Sequence, residues 1–342
     1  MAIVALGAAS WPPAKSPSAD NSPKPTVTTV PLGHHGDAVY AVAVGQVNGR
    51  SVAVTGGADN TVRVWDLATR KPFGQPMTGH TSTVGAVAVG QVNGRSVAVT
   101  GGADNTVRVW DLATRKPLGQ PMTGHTDVVG EVAVGQANGR PVAVTGSQDG
   151  TVRVWDLITR KPLGQPMTSD AGNVFAVAVG QMNGRPIAVT GSVGESVRVW
   201  DLATRKPLGQ SMTAHTSPVF AVAAGQMNGR PIAVTGSWNG TVRVWDLATR
   251  KPLGQPMTGH TRPVFAVAVG QVNGRAVAVT GSWDHAVRVW DLTTRKPLGQ
   301  PMTGHTNTVE VVAVGQVNGR SVAVTGSLDG TVRVWDLSAY TG

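Results

Sequence analysis

The chain has 342 residues, 41% of them apolar and 14% charged, with a net charge of +10. That is enough apolar material for a large core, and the balance is that of a globular protein. The absence of cysteine excludes a disulfide framework, a thiolate metal site and a cysteine nucleophile.

Residues 1–10, MAIVALGAAS, are apolar but far shorter than a membrane span, and they lack the basic flank of a signal peptide. A Pro/Ser-rich stretch, WPPAKSPSADNSPKP, follows, so residues 1–25 are expected to be a disordered segment. From residue 26 a single unit repeats. Trp-Asp pairs begin at Trp65, Trp110, Trp155, Trp200, Trp245, Trp290 and Trp335, always 45 residues apart. A fixed period of this kind means stacked copies of one supersecondary unit. Within a unit, AVAVG, SVAVTG and TVRVWDL alternate or run apolar with β-branched residues, which predicts three strands. The Asn-Gly of GQVNGR suits a tight hairpin and GxDGT a second turn. The stretch RKPLGQPMTG can add a fourth strand, where its two prolines are tolerable only at a sheet edge. Nothing has a helical period.

A Gly-His near the start, a Trp-Asp near the end and four strands between them resemble a blade of a WD40-repeat β-propeller. The resemblance covers residues 26–337, and the near-identity of the copies is similar to bacterial members of that family. It implies an all-β domain over 26–342, with seven blades of four antiparallel strands. The departure is the inner hairpin, VGQVNGR, where the family commonly has an aromatic followed by Ser-Pro-Asp-Gly. The last unit ends after its third strand, while TTVPLGHH (28–35) aligns with FGQPMTGH (73–80) one period later. The N-terminal segment is therefore expected to supply the outer strand of the seventh blade and close the ring. Deleting residues 26–33 should cost more than deleting 1–24.

The resemblance also implies a hydrogen-bonded chain of His, Thr, Asp and Trp inside each blade. The matching positions are His35, Thr55, Asp59 and Trp65 in blade one, and His80, Thr100, Asp104 and Trp110 in blade two. Blade three has His125, Thr145, Asp149 and Trp155, and blade six His260, Thr280, Asp284 and Trp290. Blade seven has His305, Thr325, Asp329 and Trp335. A His, an acid and a hydroxyl invite a nucleophile reading. Recurrence in blade after blade, always beside a Trp, argues instead for a structural network of satisfied buried groups. Blade four breaks it at two points, with Asp170 in the His position and Gly194 in the Asp position. Two facing carboxylates would repel, so the second acid is lost with the His. Asp170 is expected to accept bonds from backbone amides, and blade four to be the weakest link of the ring. Blade five is intermediate, with His215, Thr235 and Asn239.

The copies differ mainly in two loops that the propeller resemblance places together on its top face. Blades four to six collect Phe175, Phe220, Phe265, Trp238 and Trp283 there, with Pro218, Pro263, Arg262 and His285 among them. Clusters of aromatics with Arg are typical of interaction hot spots, although the phenylalanines could instead plug the channel mouth. The opposite face carries Arg50, Arg95, Arg140, Arg185, Arg230, Arg275 and Arg320 in its NGR turns, with six Arg-Lys pairs nearby. The resemblance implies a non-catalytic scaffold or sensor module that binds a protein or peptide on the top face; a cytoplasmic monomer is expected, with export or a truncated membrane anchor as the alternatives. Its near-identical units carry some risk of blade swapping. A glycan or small-ligand binder, and a nucleic-acid binder using the basic face, are the alternatives. No unique acid/base pair, metal cluster or phosphate loop stands out, so neither cofactor nor metal is expected.

Overall fold

The computed structural model describes residues 29–168 and 172–340, and over these residues the chain forms a seven-bladed β-propeller. The expectations for residues 1–25 and for Asp170 lie outside the described residues. Blade one has strands Val39–Val47, Arg50–Gly57, Val62–Asp66 and Lys71–Pro72, paired antiparallel in that order. Blades two to six repeat it.

Each turn has a sequence cause. Asn48 and Gly49 both adopt positive φ (49° and 77°), the mirror-image turn whose twist matches a two-residue hairpin, and the other six Asn-Gly pairs do the same. The Asp of each Trp-Asp pair caps the next turn. Asp66 Oδ1 accepts the backbone N–H groups of Ala68 and Thr69 at 3.0 and 2.8 Å. The outer strand is reduced to two short contacts. Lys71–Pro72 pairs with Trp65 and Asp66, and Met77 exchanges two backbone bonds with Val62 (2.8 and 3.0 Å), while Gly74–Pro76 bows away between them. Prolines at 72 and 76 withhold two N–H donors, so no continuous edge ladder can form.

The core lies between blades. Val52, Val54, Val62, Val64 and Met77 of blade one pack against Val84, Val87, Ala98, Trp110 and Leu112 of blade two, and the same grouping recurs around the ring. Each Trp thus seals its blade onto the preceding one. The ring closes as expected. Strand Thr29–His34 pairs antiparallel with Thr331–Asp336 and completes the sheet of Val309–Val317 and Arg320–Ser327. Leu32 joins Val322, Val324, Val332 and Val334 in burying Trp65 and Leu67 of blade one. Gly33 is required there, because a Cβ would collide with the ring of Trp65.

The pairing also fixes which loops share a face. Val174 opposes Ser192, so the loop before the first strand and the turn after the second lie at one end of the blade. Trp238 N–H donates to the Pro218 carbonyl, and Trp283 N–H to that of Pro263, both at 3.0 Å, joining the two loops directly. This end is the top face.

Candidate functional site

The His-Thr-Asp-Trp positions meet inside the blades. In blade two, the Trp110 indole N–H donates to Thr100 Oγ1 (2.9 Å), and Thr100 lies 2.7 Å from His80 Nε2. His80 Nδ1 lies 2.9 Å from Asp104 Oδ2. Neutral imidazole has one donor and one acceptor, so one tautomer completes the chain: Trp to Thr, Thr to His Nε2, His Nδ1–H to Asp. Blades three, six and seven repeat these bonds with His125, Thr145, Asp149 and Trp155; His260, Thr280, Asp284 and Trp290; and His305, Thr325, Asp329 and Trp335. Blade one does so with His35, Thr55, Asp59 and Trp65. Every threonine of these five networks is fully buried. Burial holds the histidines below their ordinary titration range against the pull of the acids, which keeps them neutral.

Blade five keeps half the chain. His215 Nε2 still meets Thr235 Oγ1 at 2.7 Å, but its buried Nδ1 has no partner, and Asn239 turns to Thr216 and Thr241 instead. Burial, with Arg243 adding to it, drives His215 down to about 4. Asn239→Asp should restore the missing acceptor and stabilise the fold by about 1 kcal/mol at neutral pH, the usual worth of satisfying a buried donor. The sign with pH follows. The unfolded His binds a proton below about 6.5 and the folded one refuses it, so His215 costs stability as pH falls toward 4. The melting-temperature advantage of the variant should therefore grow between pH 7.5 and pH 5. A constant or shrinking advantage would contradict this reading.

Blade four keeps its sheet, with strands Val174–Met182, Arg185–Ser192, Ser196–Asp201 and Lys206–Pro207. Trp200 still donates to Thr190 Oγ1 at 3.0 Å, and the Arg198 guanidinium lies 5.4 Å over the Trp200 ring. Gly194 occupies an open turn, with Glu195 beside it at φ 61°.

The top-face aromatics of blades four to six form one contiguous group. Phe175 stacks on Phe220 (centroids 4.8 Å apart), and Phe220 meets Phe265 edge-on at 5.2 Å. Trp238 lies 5.7 Å from Phe220 and 5.9 Å from Trp283. The phenylalanines are half-buried, whereas Trp238 and Trp283 keep 41% and 40% of their surface exposed. Arg262 and His285 are exposed beside them, His285 at φ 66° in its turn. Pro218 is half-buried and Pro263 buried, and their carbonyls accept the two loop-joining bonds.

A β-bulge explains where the phenylalanines point. In every blade the first strand slips register, so that Phe175, Phe220, Phe265 and their counterparts Tyr40, Gly85, Gly130 and Glu310 have no partner across the sheet. Bulges re-aim side chains. These seven residues line a cavity of about 400 Å³ at the mouth of the central channel. Glu131 lines it too, at a position that is Ala in five blades and Val in the seventh. Sequence reasoning passed over this residue, although aligning the copies exposes it as the one acid at that position.

On the opposite face, the arginine of every NGR turn lies 3.1 to 3.8 Å from the Trp-Asp carboxylate of its own blade, from Arg50–Asp66 to Arg320–Asp336. That charge is locally compensated, which leaves less for a phosphate backbone. Among the described residues no group of three or more His, Asp or Glu side chains could hold a metal, and no helix is long and apolar enough to cross a membrane.

The WD domain, G-beta repeat family matches residues 25–66, 72–111, 116–156, 206–246, 250–291 and 295–336. The stretch it omits, 157–205, contains the first three strands of blade four, whose His and Asp positions hold other residues. No curated protein matches the chain. Propellers of this family commonly act as protein-interaction scaffolds and are generally non-catalytic. With six repeats matched over more than half its length and seven blades closed into a ring, the chain belongs to the WD40 family.

Proposed function

We propose that this protein is a non-catalytic interaction scaffold that binds a protein or peptide on its top face at blades four to six. The observation that carries the reading is the pair of exposed indoles, Trp238 and Trp283, continuous with three phenylalanines on one side of the ring only. A turn residue kept 40% exposed contributes little to folding, whereas a rigid aromatic surface loses little entropy on binding. Asymmetry supports the same face. In blades one to three the positions of Trp238 and Trp283 hold Ala58, Ala103 and Gln148, so copying the unit did not produce the cluster.

The test is capture of a partner by the wild type and by a Trp238→Ala/Trp283→Ala variant. Loss of two central aromatics should weaken binding by a factor of roughly 100 or more, with the fold retained because neither indole belongs to the cores between blades. Equal capture by both proteins would place the interface elsewhere.

A further inference from the structure

The top-face cavity joins two unlike walls. Phe175, Phe220 and Phe265 form an aromatic wall on one side, and the carboxylates of Glu131 and Glu310 enter from blades three and seven. Among the described residues neither carboxylate has a hydrogen-bond or ion-pair partner. Part of each side chain faces channel water, yet protein surrounds it closely. An unpaired acid enclosed in this way is costly to fold, and at position 131 five other copies carry alanine. Among the described residues no lysine, arginine or histidine lines the cavity to offset the two acids. None of the described residues supplies the charge that would complement them.

We propose that the channel mouth is a binding site for a single basic side chain, lysine or arginine, of a peptide partner, with its aliphatic stem along the phenylalanine wall and its cationic head at Glu131 and Glu310. The site rests on the reading of the top face given above and adds the ligand chemistry to it. The aromatic wall suits an alkylammonium or guanidinium through cation–π attraction, which strengthens when the cation is desolvated. A charged pair formed in an enclosed, weakly hydrated space also gains more than one at the surface.

Binding at this site is linked to protons. Burial alone pushes the Glu131 carboxyl up to about 8 and the Glu310 carboxyl up to about 7. The third titratable group of the cavity is the Tyr40 phenol, raised by burial and then by Glu310 and Asp37, and it stays protonated throughout the range concerned. A cation selects the ionised carboxylates, so it must displace their protons at low pH and finds them already gone at high pH. Affinity should rise from pH 6 to pH 9, and binding near neutrality should release protons to the buffer.

The experiment is calorimetric titration of the full chain with short peptides blocked at both ends. They carry one central lysine or arginine, or norleucine as the uncharged control, and free spermidine forms a separate arm. Two variants accompany the wild type. Glu131→Ala restores the residue of most other copies. Gly130→Phe fills the mouth as blades four to six do, and a Cβ at Gly130 meets nothing within 4 Å. The lysine and arginine peptides should bind at least tenfold more tightly than the norleucine peptide, and tenfold more tightly at pH 9 than at pH 6. Glu131→Ala should lose at least tenfold in affinity and most of the pH dependence while melting no lower than the wild type. Gly130→Phe should block the site. Equal binding of norleucine, an unaltered Glu131→Ala protein, or spermidine binding without peptide binding would each overturn the proposal. Loss of partner capture in Trp238→Ala/Trp283→Ala with full capture in Glu131→Ala would overturn the channel site and leave the interaction face standing.

Discussion

A chain that starts after His34 should melt about 10 °C or more below the full-length protein, or accumulate as aggregate, whereas one that starts at Lys24 or Pro25 should be close to wild type. The difference lies in the strand Thr29–His34. It supplies the whole fourth strand of blade seven, buries Leu32 to 5% exposure and covers the hydrophobic face where Trp65 and Leu67 of blade one meet blade seven. Losing Leu32 alone forfeits about 2 kcal/mol of apolar burial. The unpaired ladder of Thr331–Asp336 and the loosened contact with blade one bring the total to about 5 kcal/mol or more. The cost exceeds that of losing an outer strand elsewhere, because a propeller is held by its ring and this strand ties the end of the chain to its beginning. Thermal melts of the two truncations decide the point. Similar melting temperatures would mean that blade seven closes the ring without it.

Replacing Thr100 by valine should destabilise the protein by about 3 kcal/mol, and the same change at Thr190 by about half as much. The side-chain volumes match, so packing is conserved and hydrogen bonding alone changes. Thr100 Oγ1 sits between the Trp110 indole and His80, and its loss leaves a buried donor on one side and a buried acceptor on the other. Among the described residues Thr190 serves only Trp200 of these partners. Denaturant unfolding of the two variants measures the ratio. Equal losses would show that the His-Asp half of the chain contributes nothing to stability.

Much of this molecule was legible in its sequence, because seven copies act as an internal alignment. The 45-residue period gave the number of blades, the Asn-Gly pairs their inner hairpins, and TTVPLGHH the closing strand. The fourth strand was placed at the edge, yet it proved to be two fragments, since a run of residues does not reveal how far two prolines will push the backbone off the ladder. The aromatic positions of blades four to six were found by comparing copies, but their convergence on one cavity depends on the register slip in the first strand. That slip has no residue signature of its own, as Tyr, Gly, Phe and Glu all occupy it. Glu131 was missed for a related reason. It stands one residue past the bulge, where alternation along a regular strand gives no warning that a side chain reaches the channel. The basic ring shows the reverse case. Composition displayed the positive charge of the NGR turns, and only the folded chain shows each arginine beside the aspartate of its own Trp-Asp pair.

The most direct measurement is hydrogen–deuterium exchange of the protein with and without its captured partner. Binding on the top face at blades four to six predicts slowed exchange in residues 172–176, 216–220, 237–241, 261–265 and 282–286, with the NGR turns unaffected. Protection confined to the NGR turns, or spread evenly over all seven blades, would contradict the account.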